Sequence, residues 1–325
     1  MKYRRLGKTG LQISEIVFGG GFVGGILIDP DDDTKREAIR RAQAAGVNWI
    51  DTAASYGQGQ SEQALGWLLA ELEQQPHVST KVGLDVDHLD DIAGQIERSL
   101  HASLQRLNKD SVDLLQLHNQ IGTQVGGRTI QLEHALQAAD GLERMREQGL
   151  INHIGFTALG DGAVCKQVVN SGRFDTAQVY YNLINPSAGW KQPRAWDCHD
   201  FTGLLEACAN NDVGVMNIRV FAAGILVTET RHGREIPVTT NADQQLEEQR
   251  ARRVLDALGI TADGTTPHGT RSQTAIRFAL SNPGLACSVV GMAELAHLDQ
   301  AVAASDMGPL PADALAALER LYDQP

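Results

Sequence analysis

The 325-residue sequence predicts an α/β fold, namely a (β/α)8 barrel that occupies a single domain over residues 1–325. Short apolar runs rich in β-branched residues alternate along the chain with longer segments of helical periodicity, and there are eight such runs. No Pro-, Ser- or Gly-rich linker divides the chain. Because alternating strands and helices pair in parallel through right-handed crossovers, eight units predict the closed barrel called a TIM barrel.

The predicted strands follow one another at intervals of about 25–40 residues, except for a last interval of about 70. The eight runs are EIVFGG (15–20), NWIDTA (48–53), HVSTKV (77–82), DLLQLH (113–118), HIGFTA (153–158), TAQVYYN (176–182), GVMNIRV (214–220) and ACSVVG (286–291). The long interval predicts an insertion at about 224–270. We expect it to form a loop over the barrel mouth, with one helical piece at 243–258.

Helices are predicted where apolar residues recur at i, i+3, i+4 and i+7. Between the strands the clearest segments are 36–46, 92–107 and 132–149, and several end in glycine, which is typical of the position after a helix. Two further segments follow the eighth strand, at 293–305 and 311–321. They predict extra helices at the C-terminal side of the barrel.

Composition favours a cytoplasmic protein that acts on a small molecule. The net charge of −12 is spread along the chain and would repel nucleic acid and anionic membranes. We find no leader segment and no apolar run of the ~18 residues that a spanning helix needs. The four cysteines show neither C-x-x-C pairs nor histidines at metal-binding spacing, so we expect no metal site and no disulfide framework. Monomer and homo-oligomer both stay open.

Glycines 19, 21 and 24 follow the first apolar run at G-x-G-x-x-G spacing. A Rossmann phosphate-binding turn requires the helix to begin within these glycines, but ILIDPDDDTK delays a helix until about Pro30. We therefore interpret the stretch as a first βα loop at the barrel mouth. Its glycines would let the main chain approach a ligand, or would simply relieve crowding at the rim.

Four ionisable residues, Asp51, Tyr56, Lys81 and His118, lie at or near the ends of the second, third and fourth strands. Each alone could be a helix cap, a loop aromatic, a surface cation or a core histidine. Because the carboxyl ends of parallel barrel strands share one face, we expect the four to converge. Lys81 would stabilise the Tyr56 phenolate, and Asp51 would keep Lys81 charged. A neutral His118 would orient a carbonyl or alcohol oxygen.

The motifs DTAASYG (51–57), SEQALG (61–66), STK (79–81) and LLQLH (114–118) resemble the aldo-keto reductase superfamily. The resemblance covers nearly the whole chain. The opening YRRLGKTGLQISEIVFGGG resembles the family's N-terminal β-hairpin and first strand, and the segments 149–159, 177–182 and 276–292 resemble its fifth, sixth and eighth strands.

The resemblance implies hydride transfer between a nicotinamide cofactor, NAD(P)(H), and a carbonyl or alcohol carbon. In such a mechanism Tyr56 is the general acid of reduction or the general base of oxidation, while Lys81 and Asp51 tune its acidity. His118 positions the substrate oxygen. The residues assigned to the substrate are Phe22, Tyr56, His118 and Asn119.

At the positions that bind the cofactor in this family, the sequence matches the family at some residues and differs at others. Gln178 matches the family's carboxamide-binding glutamine, but Thr157 and Ala158 replace a common Ser-Asn pair. Arg219 replaces a serine and could grip the pyrophosphate or form a rim ion pair. The residues assigned to the cofactor are Gly20, Gly21, Asp51, Thr157, Gln178, Ile218, Arg219, Phe221, Gly291, Met292, Ala293, His297 and Gln300.

The segment 291–301 aligns with the loop that binds the adenosine phosphate, and it contains no Lys or Arg. A 2′-phosphate needs cationic partners, and Glu294 would repel it. The sequence therefore favours NAD(H), although Arg271, Arg277 or an arginine of the 249–253 cluster could substitute.

NIRVFAAGIL (217–226) resembles the sugar-dehydrogenase side of the superfamily, whose members oxidise aldoses such as fucose, arabinose or galactose to lactones. One alternative is an NADPH-dependent aldehyde or ketone reductase. Another is a non-catalytic nicotinamide-sensing subunit, since the same barrel serves as a β subunit of potassium channels. The loops 119–129 and 185–200 would shape the pocket, and the tryptophans Trp190 and Trp196 would stack on a sugar or anchor their loop.

Overall fold

The computed structural model describes residues 1–194, 196–230, 233, 239 and 243–324. Eight parallel strands form a closed barrel in which each strand pairs with the next and the eighth pairs with the first. In chain order the barrel strands are β1 (Ile16–Gly19), β2 (Trp49–Asp51), β3 (His77–Val82), β4 (Val112–Leu117), β5 (Ile151–Ala158), β6 (Thr176–Tyr180), β7 (Gly214–Ile218) and β8 (Cys287–Gly291). The predicted fold class is confirmed.

Helices surround the barrel, and two of them follow β8 as expected. They are α1 (Asp32–Ala44), α2 (Gln60–Ala70), α3 (Ile92–Leu107), α4 (Leu132–Glu147), α5 (Gly162–Asn170), α6 (Leu204–Asn210), α7 (Gln244–Ala257), α8 (Arg271–Leu280), α9 (Leu295–Met307) and α10 (Ala312–Asp323). Short strand pairs form outside the barrel at Gln120–Ile121 with Thr129–Ile130 and at Thr265–Thr266 with Gly269–Thr270. Within the described ranges, no helix has the length and apolarity to cross a membrane.

An N-terminal hairpin closes the bottom of the barrel. Its strands Tyr3–Arg5 and Gln12–Ser14 pair antiparallel. Leu6 and Ile13 of this hairpin are fully buried and pack with inward side chains of several barrel strands, including Trp49 and Met216. The amino-terminal end of the barrel is thereby filled with apolar side chains, which leaves the carboxyl end for a polar site.

The interior of the upper barrel is polar instead. Side chains from alternate strands meet there. Gln116 of β4 and Gln178 of β6 both donate hydrogen bonds to Asp51 of β2. All three are almost fully buried. A buried polar layer of this kind is stable only where its members are paired, so its hydrogen bonds define the candidate site.

The insertion between β7 and β8 contains the predicted helix, α7. Its Glu247 and Arg250 line a small cavity together with Tyr180, the last residue of β6. This part of the insertion therefore lies at the carboxyl end of the barrel. Within the rest of the predicted loop, residues 231–232, 234–238 and 240–242 lie outside the described residues.

Candidate active site

Lys81 and Asp51 form a buried ion pair at the carboxyl end of the barrel. Lys81 Nζ lies 2.5 Å from Asp51 Oδ2 and also donates to the carbonyl oxygen of Thr52 at 2.8 Å. Burial is the largest single influence and lowers the pKa of Lys81, but the charge of Asp51, the neighbouring Tyr56 hydroxyl and the hydrogen bonds to both together outweigh it, so the net pKa is raised above its usual value. Lys81 is therefore a fixed ammonium ion.

The second carboxylate oxygen of Asp51 is also fully hydrogen-bonded. Asp51 Oδ1 accepts hydrogen bonds from Ser79 Oγ at 2.7 Å, Gln178 Nε2 at 2.9 Å and Gln116 Nε2 at 3.1 Å. The sequence analysis assigned no role to Ser79 or Gln116, although they lie in the motifs STK (79–81) and LLQLH (114–118). Strand alternation was the available signal, because Ser79 precedes Lys81 by two residues and Gln116 precedes His118 by two.

Tyr56 is held above this pair by a tight turn over Tyr56–Gly59. Its hydroxyl oxygen lies 3.1 Å from Lys81 Nζ. Three consecutive residues of the turn, Gly57, Gln58 and Gly59, have φ angles of 57°, 53° and 93°. This left-handed backbone favours glycine, and Gln58 adopts it against its side chain's preference. The turn is thus shaped to present Tyr56 to Lys81.

His118 completes the cluster. Its ring packs edge-on against Tyr56, with centroids 5.9 Å apart. Burial, and then the positive charges of Lys81 and Arg128, lower the pKa of His118 well below 6.5. The imidazole is therefore neutral near pH 7 and has one N–H to donate. The structure brings together the four residues that the sequence singled out.

The glycine loop divides into two roles. A Cβ at Gly20 would lie 2.7 Å from Ser61 Oγ, and one at Gly24 would lie 2.4 Å from the main chain of Met292. These glycines relieve crowding against the protein itself, so the need for glycine at these positions is explained without a ligand, and the assignment of Gly20 to the cofactor stays a prediction. Gly21 differs, because a Cβ there would face only the Tyr56 ring at 3.7 Å. Gly21 therefore lies directly beside the Tyr56 ring.

Asn119 was expected to contact substrate, and the structure gives it another role. Its Oδ1 accepts from the amide of Leu84 at 2.7 Å, and its Nδ2 donates to the carbonyls of Leu84 and Arg128. The side chain bridges two loops and is almost fully buried. Phe22, by contrast, is 41% exposed on the loop beside Gly21, as a pocket wall requires.

Two buried polar side chains fit the amide end of a nicotinamide. Thr157 and Gln178 are register partners on β5 and β6. Thr157 Oγ1 is buried and has no hydrogen-bond partner in the structure, which a native fold rarely tolerates without a ligand or water. Gln178 uses its amide nitrogen on Asp51. The pair therefore offers an unsatisfied hydroxyl at the place assigned to the carboxamide.

The end of β7 carries the residues assigned to the middle of the cofactor. Arg219 adopts a left-handed backbone, with φ of 60°, and its carbonyl oxygen accepts from Asn182 Nδ2. Burial lowers the pKa of Arg219, while the nearby Tyr180, Tyr56 and Glu247 oppose that shift. The guanidinium thus lies among residues of the barrel mouth. Ile218 ends the strand, and Phe221 packs against the core.

The end of β8 is only partly as expected. Met292 is fully buried, and its carbonyl oxygen accepts from the amide of Ile26, so its side chain belongs to the core. His297 Nδ1 accepts from the amide of Ala293 at 3.2 Å, and Gln300 Oε1 accepts from the hydroxyls of Ser272 and Thr270. Gly291 and Ala293 are exposed. Gly291, Ala293 and, in part, the side chains of His297 and Gln300 therefore present accessible surface.

Four of the five arginines that could have replaced a missing phosphate ligand have partners within the protein, whereas Arg252 of the 249–253 cluster is exposed on α7. All three guanidinium nitrogens of Arg277 donate to main-chain carbonyls. Arg271 pairs with Glu229 at 3.2 Å. Arg250 donates to the carbonyl of Asp197, and Arg253 lies over the Trp196 ring. Each of these four side chains already has a partner within the protein.

The two loop tryptophans pack inside the protein. Trp196 is buried and donates its indole N–H to the carbonyl of Ile184 at 3.0 Å. Trp190 stacks on Phe278, and both tryptophans meet the Tyr322 ring edge-on. They anchor their loop to α8 and α10. Over the described part of the chain, no cluster of three or more His, Cys, Asp or Glu forms a metal site, and the four cysteines are free and buried.

Comparison with protein families decides the identity of this barrel. The aldo/keto reductase family model matches residues 15–323. The chain belongs to the aldo/keto reductase family. Among curated relatives, this aldo-keto reductase is 26% identical to L-galactose dehydrogenase of Arabidopsis thaliana, over 94% of this chain and 88% of that protein. It is 29% identical to D-threo-aldose 1-dehydrogenase of a Pseudomonas species, over 90% and 89% respectively.

Other relatives place the chain in the same superfamily. A probable voltage-gated potassium channel β subunit of Arabidopsis thaliana is 22% identical over 95% of this chain and 93% of that protein. Among solved structures, the holo form of an aldo-keto reductase from Bacillus halodurans superposes with a TM-score of 0.73 at 21% identity, covering 99% of this chain and 96% of that one. This aldo-keto reductase is an NAD(P)-dependent oxidoreductase that acts on carbonyl or alcohol groups.

Proposed function

We propose that this aldo-keto reductase is an NAD⁺-dependent aldose 1-dehydrogenase. The observation that carries the proposal is the position of the Tyr56 hydroxyl, 3.1 Å from a buried ammonium ion and beside a neutral imidazole. The names of two relatives that match this chain almost end to end supply the sugar class. The reaction converts a cyclic aldose and NAD⁺ into a lactone, NADH and a proton.

Tyr56 is the proposed proton acceptor. As the anomeric C–H bond breaks, the O–H proton of the same carbon passes to Tyr56, whose phenolate Lys81 stabilises electrostatically. His118 donates its single N–H to the substrate oxygen and fixes its direction. Asp51 touches none of the reacting atoms and holds Lys81 in place. NAD⁺, when bound, would supply the acceptor for the hydride.

The residues proposed to hold the cofactor are those with open polar groups or exposed surface at the carboxyl end of the barrel, around Tyr56. Thr157 Oγ1 and the Gln178 amide would bind the carboxamide, and the Gly21 main chain would border the ribose. Arg219 would pair with the pyrophosphate. Phe22 would form a wall of the sugar pocket. These roles rest on the unsatisfied Thr157 hydroxyl and on the placement of the other groups at the mouth.

The preference for NAD(H) rests on charge. The segment 291–301 has no cationic residue, and its Glu294 carboxylate lies 3.3 Å from His297. Four nearby arginines are held by other partners. Ala293→Arg should therefore raise affinity for NADP⁺ by about tenfold or more, since one charge-assisted hydrogen bond contributes about 1.5–3 kcal/mol. Equilibrium binding by fluorescence measures this, with NAD⁺ affinity as the reference. Unchanged NADP⁺ affinity would move the 2′-phosphate region elsewhere.

The deciding experiment follows nicotinamide absorbance over time. Purified protein is mixed with NAD⁺ or NADP⁺ and a panel of aldoses, and with NADH or NADPH and a panel of aldehydes and ketones. We expect rapid NAD⁺ reduction with at least one aldose. Turnover only with NADPH and carbonyl compounds would identify a reductase, whereas tight binding with very slow cycling would favour a sensing subunit.

Tyr56→Phe separates chemistry from binding. The variant removes the proton acceptor and leaves the cavity, so hydride transfer should fall by at least a hundredfold while cofactor affinity stays within a few fold. Near wild-type turnover would remove Tyr56 from this role.

We also propose a cytoplasmic location and a free small-molecule sugar as the partner, from the charge and composition of the chain.

A further inference from the structure

A second buried carboxylate lies next to the site without belonging to it. Glu62 is fully buried. Thr80 Oγ1 donates to its Oε1, and Arg106 Nε donates to its Oε2 at 2.7 Å. A carboxylate is costly to bury even when it is paired, and replacing such a pair with apolar residues is often neutral. The position of Glu62 in the fold suggests what this carboxylate does.

Glu62 connects the segments that carry Tyr56 and Lys81. It lies in the first turn of α2, which begins directly after the Tyr56 turn. Thr80 is the residue before Lys81 on β3. The hydrogen bond between Glu62 and Thr80 therefore joins the helix behind Tyr56 to the strand that supplies the ammonium ion.

A neighbouring hydroxyl pair makes the same kind of connection to β2. Ser61 Oγ lies 2.8 Å from Thr52 Oγ1, and both side chains are buried. Thr52 follows Asp51, and its carbonyl oxygen accepts from Lys81 Nζ. The start of α2 is thus hydrogen-bonded to the residue after Asp51 and to the residue before Lys81, and so to both of the strands that carry the ion pair.

Arg106 supports the turn from outside. A Cβ at Gly59, the last residue of the turn, would lie 2.7 Å from Arg106 Cδ, and a Cβ at Gly66 would lie 2.4 Å from the Arg106 carbonyl oxygen. The end of the turn and the middle of α2 therefore both pack directly on Arg106. Glu62 fixes the guanidinium against which the left-handed turn rests.

We propose that Glu62, with Thr80 and Arg106, is a positioning residue that sets the distance between the Tyr56 hydroxyl and Lys81. The inference deepens the proposed function and rests on it for the chemical role of Tyr56. The charged or titratable groups that face Tyr56 are Lys81, His118 and Arg219, with Asp51 behind Lys81. Loosening the turn moves the Tyr56 hydroxyl away from the positive charges of Lys81 and Arg219.

The test compares Glu62→Gln with Glu15→Gln. Glu15 is a matched control, because it is also buried and accepts from an arginine, Arg4 Nε at 2.8 Å, and a hydroxyl, Ser305 Oγ at 2.9 Å. It precedes β1, at the opposite end of the barrel. We expect Glu62→Gln to lower kcat at least tenfold and to move the ascending limb of the pH profile for oxidation, which reports deprotonation of the base, to higher pH. Cofactor affinity should change less than twofold, and Glu15→Gln should leave both kinetic readouts unchanged.

A second readout needs no substrate. Ionisation of Tyr56 is followed as tyrosinate absorbance, taking the difference between each protein and its Tyr56→Phe counterpart. We expect Tyr56 to ionise at higher pH in Glu62→Gln than in wild type or Glu15→Gln. Thr80→Val, which removes one donor and keeps the ion pair, should shift it in the same direction by less, and it replaces Glu62→Gln if that variant does not fold.

Equal titrations in Glu62→Gln and Glu15→Gln, or in Thr80→Val and wild type, would overturn the positioning role. Failure of the proposed function gives a different result. Tyr56→Phe would then keep its turnover, while the absorbance titration would still show whether Glu62 sets the surroundings of Tyr56.

Discussion

The Asp51 and Lys81 pair concentrates two charges inside the barrel, and each depends on the other. Removing one partner of a buried pair leaves an uncompensated charge and typically costs about 3–5 kcal/mol. The three hydrogen bonds to Asp51 Oδ1 add to this dependence. Lys81 and Asp51 are therefore important for stability, in addition to the role in proton transfer proposed for them.

Asp51→Asn should lower the free energy of unfolding by about 3–5 kcal/mol, because it leaves the buried Lys81 ammonium without its counter-ion. Urea denaturation measures the loss. The double variant Asp51→Asn/Lys81→Met should recover part of it. Asp212→Asn, which breaks an exposed pair with Arg5, is the control and should change little. Equal losses at the two sites would contradict the argument.

His118 makes stability depend on pH. Its pKa in the folded protein is well below 6.5, whereas in the unfolded chain it is about 6.5. Below that pH the unfolded state binds the extra proton, so His118 contributes a loss of stability as pH falls, by at most ~1.4 kcal/mol per pH unit. Urea midpoints of wild type and His118→Gln between pH 7 and pH 5 should show a shallower decline in the variant. Parallel curves would mean that the folded imidazole also protonates.

Sequence reasoning found the chemistry of single residues better than their contacts. The types and strand-end positions of Asp51, Tyr56, Lys81 and His118 were sufficient to predict their convergence. Asn119 was assigned to the substrate and Met292 to the cofactor, and both assignments stay predictions; in the structure the Asn119 side chain bonds main-chain groups of two loops and the Met292 side chain is buried in the core. Such contacts depend on loop conformation, which neither periodicity nor motifs in a single sequence predict.

At the scale of elements, helix limits follow local capping where the signal is strong. The prediction of 92–107 matches α3, which Asp91 caps and Asn108 ends in a left-handed conformation. Helix α1 begins at Asp32, four residues before its prediction, because Asp31 accepts from the amide of Thr34. The apolar periodicity begins later than the cap, so periodicity alone placed the start too late.

The contact of α2 with the end of α3 depends on a glycine. Gly66→Ala should destabilise the protein by about 1–3 kcal/mol, because its methyl group would press on the Arg106 carbonyl oxygen at 2.4 Å. Thermal unfolding measures it. Gly141→Ala in α4 is the matched control, since its methyl group would meet chiefly the flexible end of Ile96 while the gain in helix propensity is the same. Equal effects would indicate that α2 can move away from α3 without cost.

At the scale of the whole molecule, the C-terminal helix reaches back to the barrel mouth. Tyr322 donates its hydroxyl to the carbonyl of Leu183 at 2.7 Å, and its ring supports Trp190 and Trp196. The long loop after β6 is thus held by a helix more than a hundred residues later in the sequence. No local pattern in the loop could have revealed this partner.

Tyr322→Ala should raise the KM for substrate several-fold and leave cofactor affinity unchanged, because it frees the tryptophan loop but no residue assigned to the cofactor. Steady-state kinetics and fluorescence binding measure the two quantities. Leu318→Ala controls for stability, since Leu318 is equally buried on the same helix. A similar KM in both variants would show that the loop does not shape the pocket.

Barrel closure joins the most distant strands of the chain, and this constrains how the protein is made. Strand β1 pairs with β8, whose residues follow about 270 positions later. At ordinary translation rates the first strand leaves the ribosome on the order of tens of seconds before its partner exists. During that interval the growing sheet has two unpaired edges, which are templates for pairing with other chains. The period of greatest exposure to aggregation is therefore synthesis, before the last strand closes the ring.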